Sequence, residues 1–232
     1  MNEQIKRIKE KITLLRRLDK GYTVFGSQKH RYLINATVSV GSIREFEEKH
    51  RVTLPEGYTR FLTEIGNGGA GPFYGLEQIQ DSLCCDLDYK QKSDLLNPGQ
   101  PFLHTESWNM IFESSVDEEE DEYENEREKF EEKYFDKEHM NGVLAICNYG
   151  CAISLNLVVK GQEYGKMWTD DRGSDNGIHP SYELGNKGSI GFLEWYELWL
   201  DNSLEEVNEQ LSLSLQRDKN IAGNQKSWWK FW

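Results

Sequence analysis

The chain has 232 residues, enough for one large domain with additions and too few for two full ones in comfort. At 37% hydrophobic and 12% aromatic it carries the material for a packed core, which excludes global disorder. Its net charge of −13 argues against nucleic acid as a partner, because phosphate binding needs clustered Lys and Arg, and favours a basic partner.

No apolar run approaches the length of a membrane span, and charges interrupt every apolar run between Met1 and Lys20. The expectation is a cytoplasmic protein with no membrane contact and reduced cysteines. Cys84 and Cys85 are adjacent, and Cys147 and Cys151 stand four apart. Neither pair has zinc-ribbon spacing, so four free thiols and no metal are expected.

Ile5, Ile8, Ile12, Leu15 and Leu18 recur at spacings of three and four, predicting an amphipathic helix over residues 3–19 within an N-terminal unit, 1–21. Its other face is basic, with Lys6, Arg7, Lys9, Lys11, Arg16 and Arg17. Such a helix can lie on a membrane surface; docking on its own domain is preferred here, with the acidic segment of the chain as a partner. Ser42 and Glu45 fit a capping box ahead of a short helix. Pro55 fits the first position of the next helix, in which Tyr58, Phe61, Leu62 and Ile65 form one apolar stripe. Gly66-Asn67-Gly68-Gly69 ends it.

The middle of the chain changes character. Residues 117–138 hold 13 acidic and 4 basic side chains, nine of the thirteen net negative charges. Phe112, Val116, Tyr123, Phe130 and Tyr134 keep helix-compatible spacings through it, so a charged helix with an aromatic edge is expected, inserted at about 113–138. After Gly142 the pattern turns to short β-like runs, 143–146, 152–159 and 165–168, with a turn at Asn148-Tyr149-Gly150. A helix is predicted over 190–200. Ser203 then fits the cap of a last helix carrying Leu204, Val207, Leu211 and Leu215, ended by Gly223 and followed by a Trp-rich tail, the unit 202–232.

In this order, several segments resemble the SUKH superfamily, named partly after a fungal regulator of cell-wall assembly. They are Phe25-Gly26 with His30-Arg31-Tyr32, Phe46-Glu47, Leu54-Pro55-Glu56-Gly57-Tyr58-Thr59-Arg60-Phe61-Leu62, Gly66 to Pro72 and Tyr74-Gly75-Leu76. Gly142 to Ile146, Gly150-Cys151, Gly165 to Trp168 and Phe192 to Tyr196 continue the match. The resemblance covers roughly residues 22–87 and 140–201. It implies an α+β domain over 22–201, a twisted sheet with packed helices. It also implies the role of an immunity protein that neutralises a cognate polymorphic toxin, many of them nucleases, by binding it, with no chemistry or cofactor of its own. The N-terminal helix, the acidic insertion and everything past Asn202 depart from the pattern and inherit nothing from it.

Gly66 to Gly75 lacks the Gly-Lys-Ser/Thr ending of a phosphate loop and reads as a helix stop with a tight turn. Asp170 to Gly177 resembles a calcium loop, but counted from Asp171 its twelfth position is Tyr182 instead of a bidentate Glu, so a solvated loop is expected, open to a partner. His30, His50, His104, His139 and His179 form no HExxH motif, and no serine sits in a nucleophile elbow. The strongest partner-binding candidates are Glu118, Glu119, Glu120, Asp121, Glu122 and Tyr123, with Asp170 and Asp171. A charge run is ordinarily a solvated face; here carboxylates that mimic phosphates accompany aromatics suited to anchoring an interface. Two other classes stay open: an intracellular regulatory scaffold, and an enzyme with a dispersed site.

Overall fold

The computed structural model describes residues 3–90, 95–117 and 121–228, with side chains as far as residue 217. The chain forms helices α1 (Glu3–Leu18), α2 (Ser27–His30), α3 (Val40–His50), α4 (Glu56–Glu64), α5 (Asp121–Tyr134) and α6 (Phe192–Trp228). Four strands, β1 (Val143–Gly150), β2 (Ile153–Val158), β3 (Met167–Asp171) and β4 (Gly177–Pro180), make an antiparallel sheet in sequence order. Short 3-10 turns lie at Lys137–Met140 and Arg172–Ser174. The α+β class expected from the sequence is what the chain adopts. No described helix is long and apolar enough to cross a membrane.

The sheet is buried on both faces, which is why its strands read as nearly continuous apolar runs. Leu144, Ile146, Leu155, Leu157 and Met167 point into the main core. There they join Tyr58, Phe61 and Leu62 of α4, Ile5, Ile8, Ile12 and Leu15 of α1, and Phe192, Trp195, Tyr196 and Leu200 of α6. Val143, Ala145, Val158, Trp168 and Ile178 form a second, smaller cluster on the other face with Leu87, Leu96, Phe102 and Met140. A break in register between Ala145 and Cys147 lets Ile146 and Cys147 both enter the main core.

Local chemistry moves several expected boundaries. Ser39, not Ser42, caps α3: its hydroxyl accepts from the Ser42 N–H at 3.0 Å, so the helix begins one turn early. Pro55 is the residue before α4 rather than its first, and Ile65, half-buried, closes that helix. Beyond it Gly69 sits at φ 102°, where a Cβ would lie 2.4 Å from the Leu33 carbonyl oxygen. The turn expected at Asn148–Gly150 is part of β1. The hairpin closes instead on Cys151 and Ala152, at φ 54° and 61°, the pair of left-handed residues that matches strand twist in a two-residue loop.

The largest correction concerns the C-terminus. One uninterrupted helix runs from Phe192 to Trp228, across the expected boundary at 201/202 and through Gly223. Ser203 caps nothing; it is 3% exposed in the middle of α6. Nothing between Leu200 and Val207 breaks a helix, and Leu200, Leu204 and Val207 carry one stripe into the core. The side chains of the Trp-rich tail lie outside the described residues.

α1 docks on its own domain, as preferred from the sequence, but its partner is α6 and not the acidic segment. Glu197 accepts from Arg7 Nε at 2.9 Å and Nη2 at 3.0 Å, from Lys11 Nζ at 2.8 Å and from Gln4 at 3.2 Å. Lys11 also reaches Asp201 at 2.6 Å. Burial alone would raise the Glu197 carboxyl. The hydrogen bonds from Arg7, Lys11 and Gln4 overcome it and hold the group at about 2.

Candidate partner-binding surface

α5 has almost no apolar content, so its position needs other causes. Asp121, Glu122 and Glu124 fall in its first turn and Lys133 in its last, the order the helix dipole favours. One edge faces the protein: Tyr123, Glu126 and Phe130 are half-buried and Tyr134 is 1% exposed. Asp121, Glu122, Glu124, Glu128, Glu131 and Glu132 face water.

The inward edge meets an irregular segment, residues 108–117, whose Phe112 and Val116 the spacing had placed with the helix. Phe112 lies 5.5 Å from Tyr123 and 5.3 Å from Phe130 between ring centroids, and Phe130 stacks on Tyr134 at 5.3 Å. Tyr134 stacks on Trp108 at 5.7 Å. Trp108 touches His104 at 5.3 Å, and Phe102 links His104 to the buried Trp168. The result is a ladder of rings from the second core cluster out to the start of α5. Tyr134 also donates to Asn109 Oδ1 at 2.6 Å, and Ser114 donates to Glu126 at 2.7 Å. Trp108 and Ile178 exchange both backbone hydrogen bonds at 2.8 Å, which ties the segment to β4.

The other end of α5 is held by Arg172. Its Nη1 donates to the carbonyls of Tyr134 at 2.7 Å and Asp136 at 3.0 Å, where a helix C-terminus has unfilled acceptors. Nε and Nη2 take the two oxygens of Asp170 at 2.8 and 2.7 Å. The stretch expected to be a solvated loop is therefore the ordered turn from β3 to β4, around a buried arginine. Asp170 is committed to Arg172. Asp171 accepts from Asn176 at 2.8 Å through Oδ2, while its Oδ1 is buried without a hydrogen-bond partner.

Of the sequence candidates, Asp121 and Glu122 stand exposed on the outer face of α5, and Tyr123 sits half-buried on the ladder against Phe112. Glu118, Glu119 and Glu120 lie outside the described residues. Asp170 is brought to the far end of the same helix, on the rim of a cleft of about 160 Å³ that Asp86, Asp88, Phe135, Asn148 and Arg172 also line. Asp88 there accepts from Asn148 Nδ2 at 2.7 Å and from the Ala152 N–H at 3.3 Å. Among the described residues no group of three or more His, Cys, Asp or Glu side chains is placed to hold a metal ion.

A second surface escaped the sequence reading. Phe25, 56% exposed, lies within 5.5–6.3 Å of Tyr74, Tyr149 and Phe73, and Lys29 Nζ stands 5.0 Å from the Tyr74 ring centre. Two loops and the end of β1 converge here because Gly26, at φ 76°, lets its backbone approach Phe73, whose carbonyl oxygen would lie 1.7 Å from a Cβ. The only sequence signal was an aromatic beside a glycine in each segment: Phe25-Gly26, Tyr74-Gly75 and Tyr149-Gly150.

Compared with known proteins, the chain matches no family model, no curated protein and no solved structure.

Proposed function

We propose that the chain is a non-enzymatic binding protein of the cytoplasm that neutralises a basic protein toxin by direct contact, as its resemblance to SUKH immunity proteins implies. The observation that carries this reading is the row of outward carboxylates on α5, held on the domain by Arg172 at one end and by the aromatic ladder along its length. A row of charges fixed in place gives a field of defined direction, which speeds the encounter with a basic surface. The exposed ring of Phe25, backed by the half-buried Tyr74 and Tyr149, supplies an anchor that a steering field does not. That second patch also favours the alternative reading, a regulatory scaffold with more than one partner.

The test is to express the chain with the polypeptide encoded beside its gene and to measure complex formation and protection from toxicity. A one-to-one complex with a toxin domain, lost on reversal of the α5 charges together with removal of the Phe25 ring, supports immunity. Turnover of a substrate by the isolated chain, abolished by one conservative substitution in a folded variant, overturns it.

A further inference from the structure

The ladder that seats α5 contains a weak rung. His104 lies between Phe102 and Trp108, at 5.3 Å from each ring, and 5.5 Å from the ring of His139. Its Nε2 is buried with no hydrogen-bond partner. A neutral imidazole tolerates this; an imidazolium would carry a buried N–H with nothing to accept it. The surrounding charges make matters worse. Arg172 and His139 face the ring from the β3–β4 turn and the 3-10 turn after α5, and Asp170, already paired with Arg172, is the acid opposite. The ring of Tyr134 stacks on Trp108 at 5.7 Å.

We infer that His104 is a proton-sensitive latch for α5: neutral it closes the ladder, and protonated it lets α5 and the turn behind it leave the sheet while the main core stays folded. The division of the interior supports a local opening. Phe102, Met140, Trp168 and Ile178, which back the ladder, belong to the smaller cluster, whereas α1, α4 and α6 meet in the larger one. His139 is not the trigger, because its Nε2 has the Lys133 carbonyl at 3.1 Å, a partner that His104 Nε2 lacks. Burial first, then His139 and Arg172, push the His104 imidazole down to about 4, against Asp170 and a hydrogen bond with the His139 backbone. The latch therefore opens in acid. Its consequence for a partner rests on the reading proposed above: release of the acidic face would release what is bound to it.

The experiment is hydrogen exchange by mass spectrometry on the full chain from pH 7.5 down to 4, corrected for the intrinsic pH dependence of exchange. Peptides covering 121–140 are compared with peptides covering 56–64 and 192–207. His30, in the main core, is also pushed down to about 4 by burial, so the core has its own acid limit. The expected result is that 121–140 loses protection at higher pH than the core. His104→Phe, which keeps a ring in the ladder, should shift that loss down until it coincides with the core. His104→Gln gives the same comparison should the phenylalanine variant be unfolded at pH 7.5. Simultaneous opening of both regions in the unmodified chain, or an unshifted loss in a folded His104 variant, overturns the latch. No partner enters the measurement, so its failure is separate from failure of the binding reading.

Discussion

Arg172 and Asp170 form a two-point pair inside the protein, and the same guanidinium takes the carbonyls of Tyr134, the last residue of α5, and of Asp136 just beyond it, 38 and 36 residues earlier in the chain. The pair is 8% and 17% exposed at its two side chains. Arg172→Ala removes the cap of α5 and leaves Asp170 without its countercharge. The expected cost is about 3–5 kcal/mol, the range for breaking a buried pair. Urea unfolding should show it, together with loss of exchange protection in 121–140. A variant as stable as the parent would mean that α5 is seated by the ladder alone.

Phe61 is fully buried and meets Phe192 at 5.2 Å and Tyr196 at 4.8 Å, both edge-on. Phe61→Ala is expected to destabilise by about 3–5 kcal/mol, and the loss should be shared by the sheet and α6 in one transition. Separate transitions would show that residues 22–201 do not unfold as a unit.

Glu197→Gln tests the clasp between α1 and α6. The group is held at about 2 in the folded chain against an ordinary 4.5, so its stabilising effect is complete above about 4.5 and is lost as pH falls to about 2. The variant should melt below the parent at pH 7, and the gap should close across that window. A gap that persists at pH 2 would assign the effect to packing rather than charge.

Reversal of Glu122, Glu124, Glu128 and Glu132 to Lys leaves the inward edge of α5 untouched. Against a basic partner it should slow association and weaken the dependence of that rate on salt, with a smaller change in dissociation. Stopped-flow association at two salt concentrations checks this. An unchanged association rate in the folded variant would remove steering from the account.

What the sequence disclosed follows from the range of each interaction. The α4 stripe of Tyr58, Phe61 and Leu62 was readable because one helix face meets one core. β4 was not: Gly177 to Pro180 is four residues long and ends in proline, and the bridge that covers its outer edge comes from Trp108, far back along the chain. Arg172 looked like part of a polar loop because nothing local reveals that its acceptors are the carbonyls of Tyr134 and Asp136. Phe112 kept a helical spacing yet belongs to the irregular segment before the helix, since a ring packed across from a helix can share the period of the residues it meets. The basic face of α1 announced a partner but not its address. Glu197 is 190 residues away from Arg7.

That separation sets a condition on biosynthesis. Ile5, Ile8, Ile12 and Leu15 are made about 190 residues before α6, the helix on which α1 packs. At roughly 5–20 residues per second, the first helix waits on the order of ten seconds or more for its mate. Through that interval a greasy, basic segment stays uncovered, open to chaperones, and this part of the core is sealed only when α6 arrives.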